Sequence, residues 1–282
     1  MCDENTIITK PSSKDEYCIF DNWDDERLNL STPILRGIYA YGFEKPSPIQ
    51  SRAIHPILMR RDIIAQAQSG TGKSGAFVIG SLQMIDENLS QTQVVIMSPT
   101  RELARQSFDV VNSIGTMTKI RSQLLIGGSP TDIDIEKLTN NIPHIVSGTP
   151  GRIFDMIRRT HLNVDTVRFM ILDEADEMLS QGFKEQIYKI FQYLNNDIQI
   201  GLFSATLPVE ITALTSKFMR NPIKILVKQE MLTLQGISQF YVALDDDSQK
   251  YDTLKDLFST LVISQAIIYC NSIKRVCDLY EA

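Results

Sequence analysis

Short apolar runs alternate with longer amphipathic stretches over most of the first 230 residues. The apolar runs predict β-strands at Ile63–Ala67, Val94–Ser98, Gln123–Ile126, Ile145–Ser147, Phe169–Leu172, Ile200–Ser204 and Ile223–Val227. Between most of them lie stretches with helical periodicity, such as Lys73–Ile85, Glu102–Ile114 and Lys184–Leu194. Alternation of this kind is typical of an α/β fold with a doubly wound parallel sheet.

The ends of the chain depart from this pattern. Residues 1–22 carry no sustained period and predict a flexible tail, and two helices, Ser31–Gly42 and Ser47–Met59, precede the first strand. We therefore predict a first domain over residues 23–228 and a linker over 229–236, where the alternation stops. Residues 237–282 begin a second unit, with Ile237–Leu244, a helix near Asp252–Thr260 and a strand at Ala266–Tyr269. We expect this unit to be truncated, because about 45 residues cannot complete a domain of the first one's size.

Composition limits the class of protein. The 282 residues are 43% hydrophobic and 22% charged, with a net charge of -6. No apolar run approaches the roughly 18 residues of a membrane helix, so we expect no membrane contact. The polar, acidic start lacks the features of a secretory signal or transit peptide. Four scattered cysteines suggest neither a disulfide framework nor a zinc site, and they favour a reducing compartment.

Residues 67–74 read "AQSGTGKS" and lie between a predicted strand and a predicted helix. This is the context of a phosphate-binding loop, or P-loop, in which glycines expose backbone N–H groups to phosphate oxygens. Ala67 stands where the general pattern has its first glycine. Lys73 would reach the outer phosphates, and the Ser74 hydroxyl would bind Mg²⁺. A structural turn with a surface lysine is the weaker alternative.

A second chemical signal is "LDEAD", where an apolar strand ends on Asp173, Glu174 and Asp176. Like charges so close together repel one another unless a cation offsets them. In a P-loop enzyme, an acid at a strand end holds Mg²⁺, so Asp173 is predicted to bind the metal. Glu174 is then the natural base for a water that attacks the terminal phosphate. Without the P-loop, these acids would fit an ordinary charged helix start.

The two motifs together resemble those of the DEAD-box ATP-dependent RNA helicases. Further segments match that family in order: "GFEKPSPIQ" (42–50), "PTRELA" (99–104), "GG" (127–128), "TPGR" (149–152), "SAT" (204–206) and "IIYCNS" (267–272). The resemblance runs from about Trp23 to the end of the chain. It implies a RecA-like P-loop NTPase lobe followed by the start of a second RecA-like lobe. A DNA helicase or a kinase would leave several of these motifs unexplained.

The resemblance also implies an ATP site. The residues it assigns to ATP are Phe43, Gln50, Ala67, Gln68, Ser69, Gly70, Thr71, Gly72, Lys73 and Ser74. Gln50 would pair with the adenine edge, because an amide can donate and accept at once. Either Phe20 or Trp23 would stack on the base. Lys73, Asp173 and Glu174 would be catalytic, with Ser74 and Asp173 holding Mg²⁺. Arg60 departs from the family, whose members tend to have glycine there.

The remaining motifs are implied to contact RNA or to couple hydrolysis to strand separation. The RNA set is Pro99, Thr100, Arg101, Gly127, Gly128, Thr149, Pro150, Gly151 and Arg152. The coupling set is Asp176, Ser204, Ala205 and Thr206, and Asp176 and Ser204 would contact each other across the site. Lys73, Pro99–Arg101, Gly127, Thr149, Asp173 and Ser204 come at or directly after the ends of predicted strands. The carboxyl ends of parallel strands share one rim of a sheet, where ligands bind. Because such proteins read the RNA backbone, no sequence preference is expected.

The amino-acid sequence between the motifs is most similar to that of family members that act in translation initiation, and to that of a paralogue in the exon-junction complex. The resemblance thus implies a cytoplasmic or nuclear monomer that remodels mRNA with a translation-initiation scaffold protein. The alternative is an ATP-gated clamp that binds exon-junction proteins. We expect slow ATP hydrolysis by the 282-residue chain, because an arginine finger from the second lobe can contribute about 10³ to 10⁵ in rate.

Overall fold

The chain divides into two compact units, Met1–Leu234 and Gln235–Ala282. The structure is a computed structural model, and it describes residues 7–8, 17–180, 182–227, 238 and 240–282. The predicted linker, residues 229–236, lies outside the described residues.

The first unit is built on one sheet. Its strands are β1 (Ile7–Ile8), β2 (Ile63–Gln66), β3 (Val94–Met97), β4 (Ser122–Leu125), β5 (Ile145–Gly148), β6 (Phe169–Asp173), β7 (Gln199–Ser204) and β8 (Ile223–Val227). Their order is β1-β8-β2-β7-β6-β3-β5-β4. The strands from β8 to β4 pair in parallel, and β1 adds an antiparallel edge against β8. The predicted doubly wound parallel sheet is confirmed.

Helices cover both faces of this sheet. They are α1 (Thr32–Ala40), α2 (Pro48–Leu58), α3 (Lys73–Met84), α4 (Arg101–Ile114), α5 (Thr131–Asn140), α6 (Pro150–Arg158), α7 (Ala175–Ser180), α8 (Lys184–Tyr193) and α9 (Val209–Phe218). One apolar cluster joins α1–α4 to the sheet, and a second joins α5–α9 to its other face. Among the described residues, no helix is long and apolar enough to span a membrane.

Strand β6 explains why its sequence reads as one continuous apolar run. Phe169 and Ile171 belong to the first apolar cluster, whereas Met170 and Leu172 belong to the second. All four side chains are buried, because a parallel strand in the middle of such a sheet has helices on both sides. The run ends at Asp173, where the strand reaches the rim.

Local signals place the helix ends. Ser47 caps α2, and its hydroxyl accepts a hydrogen bond from the Gln50 backbone N–H while the Gln50 side chain binds the Ser47 N–H. At the other end of this helix, Arg60 has a φ of 55°. Glycine adopts this left-handed conformation without strain, which agrees with the expectation that Arg60 replaces a glycine at a helix end.

Of the predicted flexible tail, residues 1–22, the structure describes residues 7–8 and 17–22. Ile7 and Ile8 pair with Val227 and Leu226, and Phe20 is 1% exposed in the first apolar cluster. Neither the Ile7–Ile8 pair nor Phe20 belongs to a repeating pattern of apolar residues. The sequence therefore could not reveal the strand pairing or the burial of Phe20.

In the second unit, the structure describes α10 (Gln249–Thr260) and α11 (Ile273–Glu281). The expected strand at Ala266–Tyr269 is wrong, since no strand is assigned within residues 240–282. The Ile267 and Tyr269 side chains are 79% and 88% exposed. A strand is stable only when neighbouring strands satisfy its backbone hydrogen bonds and cover its side chains. The helix predicted near Asp252–Thr260 is confirmed by α10.

Candidate functional site

The P-loop connects β2 to α3 at the carboxyl rim of the sheet. Gly70 and Gly72 have φ values of +82° and +97°, which favour glycine. A Cβ at Gly70 would meet no atom within 4 Å, so the loop is open to a ligand there. Lys73 is the first residue of α3. The loop thus brings backbone N–H groups and a helix N-terminus to one place, as phosphate binding requires.

Lys73 is held in a buried ion pair. Its side chain is 4% exposed, and Nζ lies 2.9 Å from Glu174 Oε1 and 3.0 Å from the Ala67 carbonyl oxygen. The Ser69 hydroxyl donates to the same Glu174 oxygen at 2.9 Å. Glu174 itself has a φ of 48°, a strained conformation for a side chain of this kind. The P-loop lysine and the predicted base therefore satisfy each other.

Asp173 ends β6 beside this pair and is 4% exposed. Burial raises the pKa of its carboxyl group to about 7, Glu174 adds to the rise, and Lys73 only partly offsets it. A buried carboxylate with an unmet need for positive charge fits a metal ligand. The described residues hold no group of three or more His, Cys, Asp or Glu suited to a metal. Mg²⁺ held by Asp173 and Ser74 would thus need oxygens from phosphate and water.

Gln50 reaches the P-loop from α2. Its side chain is 2% exposed, its Nε2 donates to the Gly72 carbonyl oxygen at 3.2 Å, and its Oε1 accepts from the Ser47 N–H at 2.8 Å. Both ends of the amide are therefore engaged within the protein. Pairing of Gln50 with adenine stays a prediction, and it would use the second Nε2–H and the second lone pair of Oε1.

The two predicted base-stacking aromatics lie behind Phe43. Trp23 is 1% exposed, stacks on Phe43 with ring centroids 6.4 Å apart, and donates from Nε1 to the Phe43 carbonyl oxygen. Phe20 packs on the far side of Trp23, at 6.0 Å. A Cβ at Gly75 would come within 2.7 Å of Phe43. Trp23 is thus linked through Phe43 to α3, whereas Phe20 is one ring further away.

The predicted coupling residues meet between β7 and α7. The Ser204 hydroxyl accepts from the Asp176 backbone N–H at 3.2 Å. Asp176 Oδ2 accepts from the Thr206 hydroxyl at 2.7 Å and from the Thr206 N–H at 3.0 Å. Burial raises the pKa of Asp176, but these contacts outweigh it and hold the pKa below its usual range. These hydrogen bonds therefore join the end of β7 to α7. The structure records no such contact for the Ala205 side chain.

A surface cleft lies on the same rim, beyond the ends of β3 and β5. Its lining includes seven of the nine residues assigned to RNA: Pro99, Thr100, Arg101, Gly127, Thr149, Gly151 and Arg152. The Pro150 side chain is buried in the first turn of α6 and does not line the cleft. The Thr100 hydroxyl caps α4 by accepting from the Leu103 N–H at 3.2 Å.

The glycine pair lies between two arginines. A Cβ at Gly128 would lie 2.5 Å from Arg101 Nη1, and the φ of Gly128 is +89°. From the other side, Arg152 Nη2 donates to the Ser129 carbonyl oxygen at 2.9 Å. Arg152 also forms a short ion pair with Asp134. The left-handed φ therefore favours glycine at 128, and a Cβ there would also displace the end of the Arg101 side chain.

The sequence analysis missed three residues near this cleft. Phe183 and Asp155 line it, and Asp134 anchors Arg152 from α5. Asp134 lies in the first turn of a helix, where an acid is common for reasons of helix stability alone. No signal in the sequence separates such an acid from one that pairs with a distant arginine.

Comparisons with known proteins agree with this geometry. The family profile described as DEAD/DEAH box helicase matches residues 47–214. The chain is similar to eukaryotic initiation factor 4A of Cryptosporidium parvum, with 54% identity over 266 residues that cover 93% of this chain and 65% of that protein. It is also similar to the ATP-dependent RNA helicase FAL1 of Mycosarcoma maydis, with 52% identity over 251 residues, covering 89% and 63%.

Solved structures give the same result. The S. cerevisiae protein Dbp5 bound to RNA and ADP BeF3 matches with a TM-score of 0.80 and 35% identity, over 91% of this chain and 65% of that one. A DEAD box protein from the hyperthermophile Methanococcus jannaschii matches with a TM-score of 0.71 and 35% identity, over 93% and 69%. The chain spans 65% and 63% of the length of the two curated relatives. With a profile match over more than half of its length, the chain belongs to the DEAD/DEAH box helicase family.

Proposed function

We propose that this protein is an RNA-stimulated ATPase that remodels RNA as an ATP-dependent helicase of the initiation factor 4A type. The observation that carries the proposal is the ion pair of Lys73 with Glu174, 2.9 Å long, beside the buried Asp173. These groups lie on the same rim as a cleft lined by Arg101 and Arg152. One rim thus offers a site for a nucleoside triphosphate and a site for a polyanion.

The proposed reaction begins when ATP phosphates occupy the P-loop. Lys73 exchanges its contact with Glu174 for a contact with phosphate, since both partners are anionic oxygens. Glu174 is then free to accept a proton from the attacking water. Asp173 and Ser74 would hold Mg²⁺, which when bound would supply positive charge that offsets the charge of the phosphates.

The proposed RNA site holds the sugar-phosphate backbone. Arg101 and Arg152 would contact phosphates, and Gly127 and Gly151 would let the strand approach the main chain closely. Contacts to the backbone do not depend on the base sequence, whereas contacts to the 2′-hydroxyl distinguish RNA from DNA.

The finer part of the proposal concerns the process that the helicase serves. The similarity to initiation factor 4A of C. parvum supports mRNA remodelling for ribosome recruitment, in the cytoplasm and with a translation-initiation scaffold protein as partner. We propose that the protein acts there as a monomer. Affinity purification of the tagged protein tests this assignment, and recovery of exon-junction proteins in place of such a scaffold would overturn it.

The biochemical proposal is tested by fluorescence anisotropy with matched single-stranded RNA and DNA, with and without Mg²⁺ and a non-hydrolysable ATP analogue. We expect tighter binding to RNA, strengthened further by the nucleotide. Lys73→Ala should lose the nucleotide effect and keep the nucleotide-free RNA affinity. Lys119→Ala, an exposed lysine after α4, is the matched control. Equal binding of RNA and DNA, or no effect of nucleotide on the wild-type protein, would contradict the proposal.

A further inference from the structure

Arg152 is anchored by an acid from a different helix. Its Nη1 forms an ion pair with Asp134 Oδ2 on α5, and the two side chains are 10% and 7% exposed. The same Nη1 also donates to the Ser129 hydroxyl at 3.3 Å, and Nη2 donates to the Ser129 carbonyl oxygen at 2.9 Å. Three contacts therefore fix one guanidinium group, at a site mostly closed to water.

Asp134 is itself held in place. Its backbone carbonyl oxygen accepts from the Gln123 side chain on β4 at 3.0 Å. The Ser129 hydroxyl lies 3.4 Å from Asp134 Oδ2 and donates to the Ile126 carbonyl oxygen at 2.9 Å. The start of α5 is thus joined both to the sheet and to the loop that carries Gly127 and Gly128.

The anchored guanidinium keeps donors for a ligand. A guanidinium group has five N–H donors in a fixed fork. The contacts to Asp134 and Ser129 use Nη1 and Nη2, and the Nε–H takes no part in them. Arg152 also lines the cleft together with Thr149 and Gly151. One edge of the group therefore binds the protein while the rest can face a phosphate.

We propose that Asp134 is a positioning residue for RNA. It holds Arg152 against Ser129, so that the glycine loop and the start of α6 form one rigid surface for the strand. This inference rests on the proposed RNA site. A carboxylate beside an RNA-facing arginine weakens its long-range attraction for phosphate, but fixing the fork in advance removes the entropy cost of ordering a long side chain when RNA binds.

The two effects of Asp134 predict opposite results when it is removed. If it mainly neutralises Arg152, the Asp134→Ala protein will bind RNA more tightly. If it positions Arg152, that protein will bind RNA about tenfold more weakly, close to the loss of a charge-assisted contact. We expect weaker binding. Asp134→Asn keeps an acceptor oxygen and should recover part of the loss.

The test is a double-mutant cycle on RNA affinity, measured by anisotropy with single-stranded oligouridine at several salt concentrations. Arg152→Ala should weaken binding. It should also lower the slope of the logarithm of the RNA binding constant against the logarithm of salt concentration by about 0.7 in magnitude, the value for one phosphate contact on a single strand. Asp134→Ala should do the same, and the double variant should lose little more than either single one. A purely structural role of Asp134 would lower stability without this non-additivity or change of slope.

Matched controls come from the same helices. Asp132→Ala removes an exposed acid from the same turn of α5, and Arg158→Ala removes an exposed arginine at the far end of α6. Both should leave the RNA affinity within about twofold, because neither residue lines the cleft. Affinity of Asp134→Ala for an ATP analogue, together with its circular dichroism spectrum, checks that the protein is folded. Should Asp134→Ala fail to fold, Asp134→Asn takes its place in the cycle.

The outcomes distinguish a failure of the proposed RNA-binding function from a failure of the positioning role of Asp134. If wild-type protein binds no RNA, the proposed function fails. If wild type and Arg152→Ala behave as expected but Asp134→Ala matches Asp132→Ala, only the positioning role is overturned. Tighter RNA binding by Asp134→Ala would also overturn it, in favour of charge neutralisation.

Discussion

Lys73 and Glu174, 101 positions apart in sequence, form an ion pair of 2.9 Å across the carboxyl rim of the sheet. The pair joins the P-loop to the end of β6. In the proposed reaction, each partner would have to release the other before acting on ATP. Nucleotide binding would then be an exchange of anionic partners at Lys73, in which the ion pair competes with phosphate.

Replacement of Glu174 by Gln should raise the affinity for Mg²⁺-ATP about fivefold, corresponding to roughly 1 kcal/mol for an ion pair that phosphate no longer displaces. Hydrolysis should fall by about 10² to 10⁴, since the amide cannot accept the proton of water. Titration with a fluorescent ATP analogue measures the first effect. Glu185→Gln, an exposed acid on α8, is the control. Weaker nucleotide binding by Glu174→Gln would show that the pair does not compete with phosphate.

The contact between Thr206 and Asp176 should contribute measurably to stability. Thr206→Val keeps the shape of the side chain and removes the hydroxyl that donates to Asp176 at 2.7 Å. We expect a loss of about 1 kcal/mol in the free energy of unfolding, because Asp176 loses one of its donors. Urea denaturation measures this loss against Thr212→Val, whose hydroxyl lies on the exposed side of α9. Equal midpoints for the two variants would exclude the contribution.

His144 should make the stability depend on pH. Its side chain is fully buried, and Nδ1 accepts from the Arg121 N–H at 2.9 Å. Burial lowers the pKa of His144, and Arg121 lowers it further. As the pH falls below about 6.5, the unfolded chain takes up a proton that the folded protein resists, so this contribution to stability is lost.

His144→Asn keeps an acceptor for Arg121 and removes the titration. Between pH 7.5 and 5.5, wild-type protein should lose up to about 1.4 kcal/mol more stability than this variant, the limit for one pH unit below the unfolded-state pKa. Urea midpoints across that range measure the difference, with the exposed His161→Asn as control. Parallel curves for wild type and His144→Asn would contradict the assignment.

Trp23 should report on the adenine site. It is the only tryptophan in the sequence, is 1% exposed, and contacts Phe43 next to α3. Its fluorescence should be poorly quenched by acrylamide and should change when ADP binds but not when inorganic phosphate binds. Trp23→Phe removes the signal and identifies its source. An emission spectrum unaffected by saturating ADP would leave Phe20 as the aromatic to examine.

Much of the fold could be predicted because most strands of the sheet are bounded apolar runs. Strands β2 to β8 lie where the pattern put them, and strands buried on both faces, such as β3 and β6, need apolar side chains at successive positions. The clustering of Lys73, Asp173 and Ser204 on one rim follows from parallel topology alone. The Asp176 and Ser204 contact, implied by family resemblance, is confirmed by the hydrogen bond between them.

Contacts set by tertiary packing could not be predicted. The sequence contains no sign that Gln50 would bind the Gly72 carbonyl oxygen or that Lys73 would pair with Glu174, because both contacts depend on how separate elements approach each other. Asp134 was missed for the same reason. The strand expected at Ala266–Tyr269 is absent because apolar, β-branched composition does not form a strand without neighbouring strands.

We propose that the P-loop binds ATP through Lys73, and equilibrium binding of a fluorescent ATP analogue with Mg²⁺ measures this contact. Wild-type protein and Lys119→Ala should bind the analogue with the same affinity, and unlabelled ATP should displace it. Lys73→Ala should bind at least about tenfold more weakly, since a buried charge-assisted contact to phosphate is lost. Equal affinities for wild type and Lys73→Ala would contradict the account of this site.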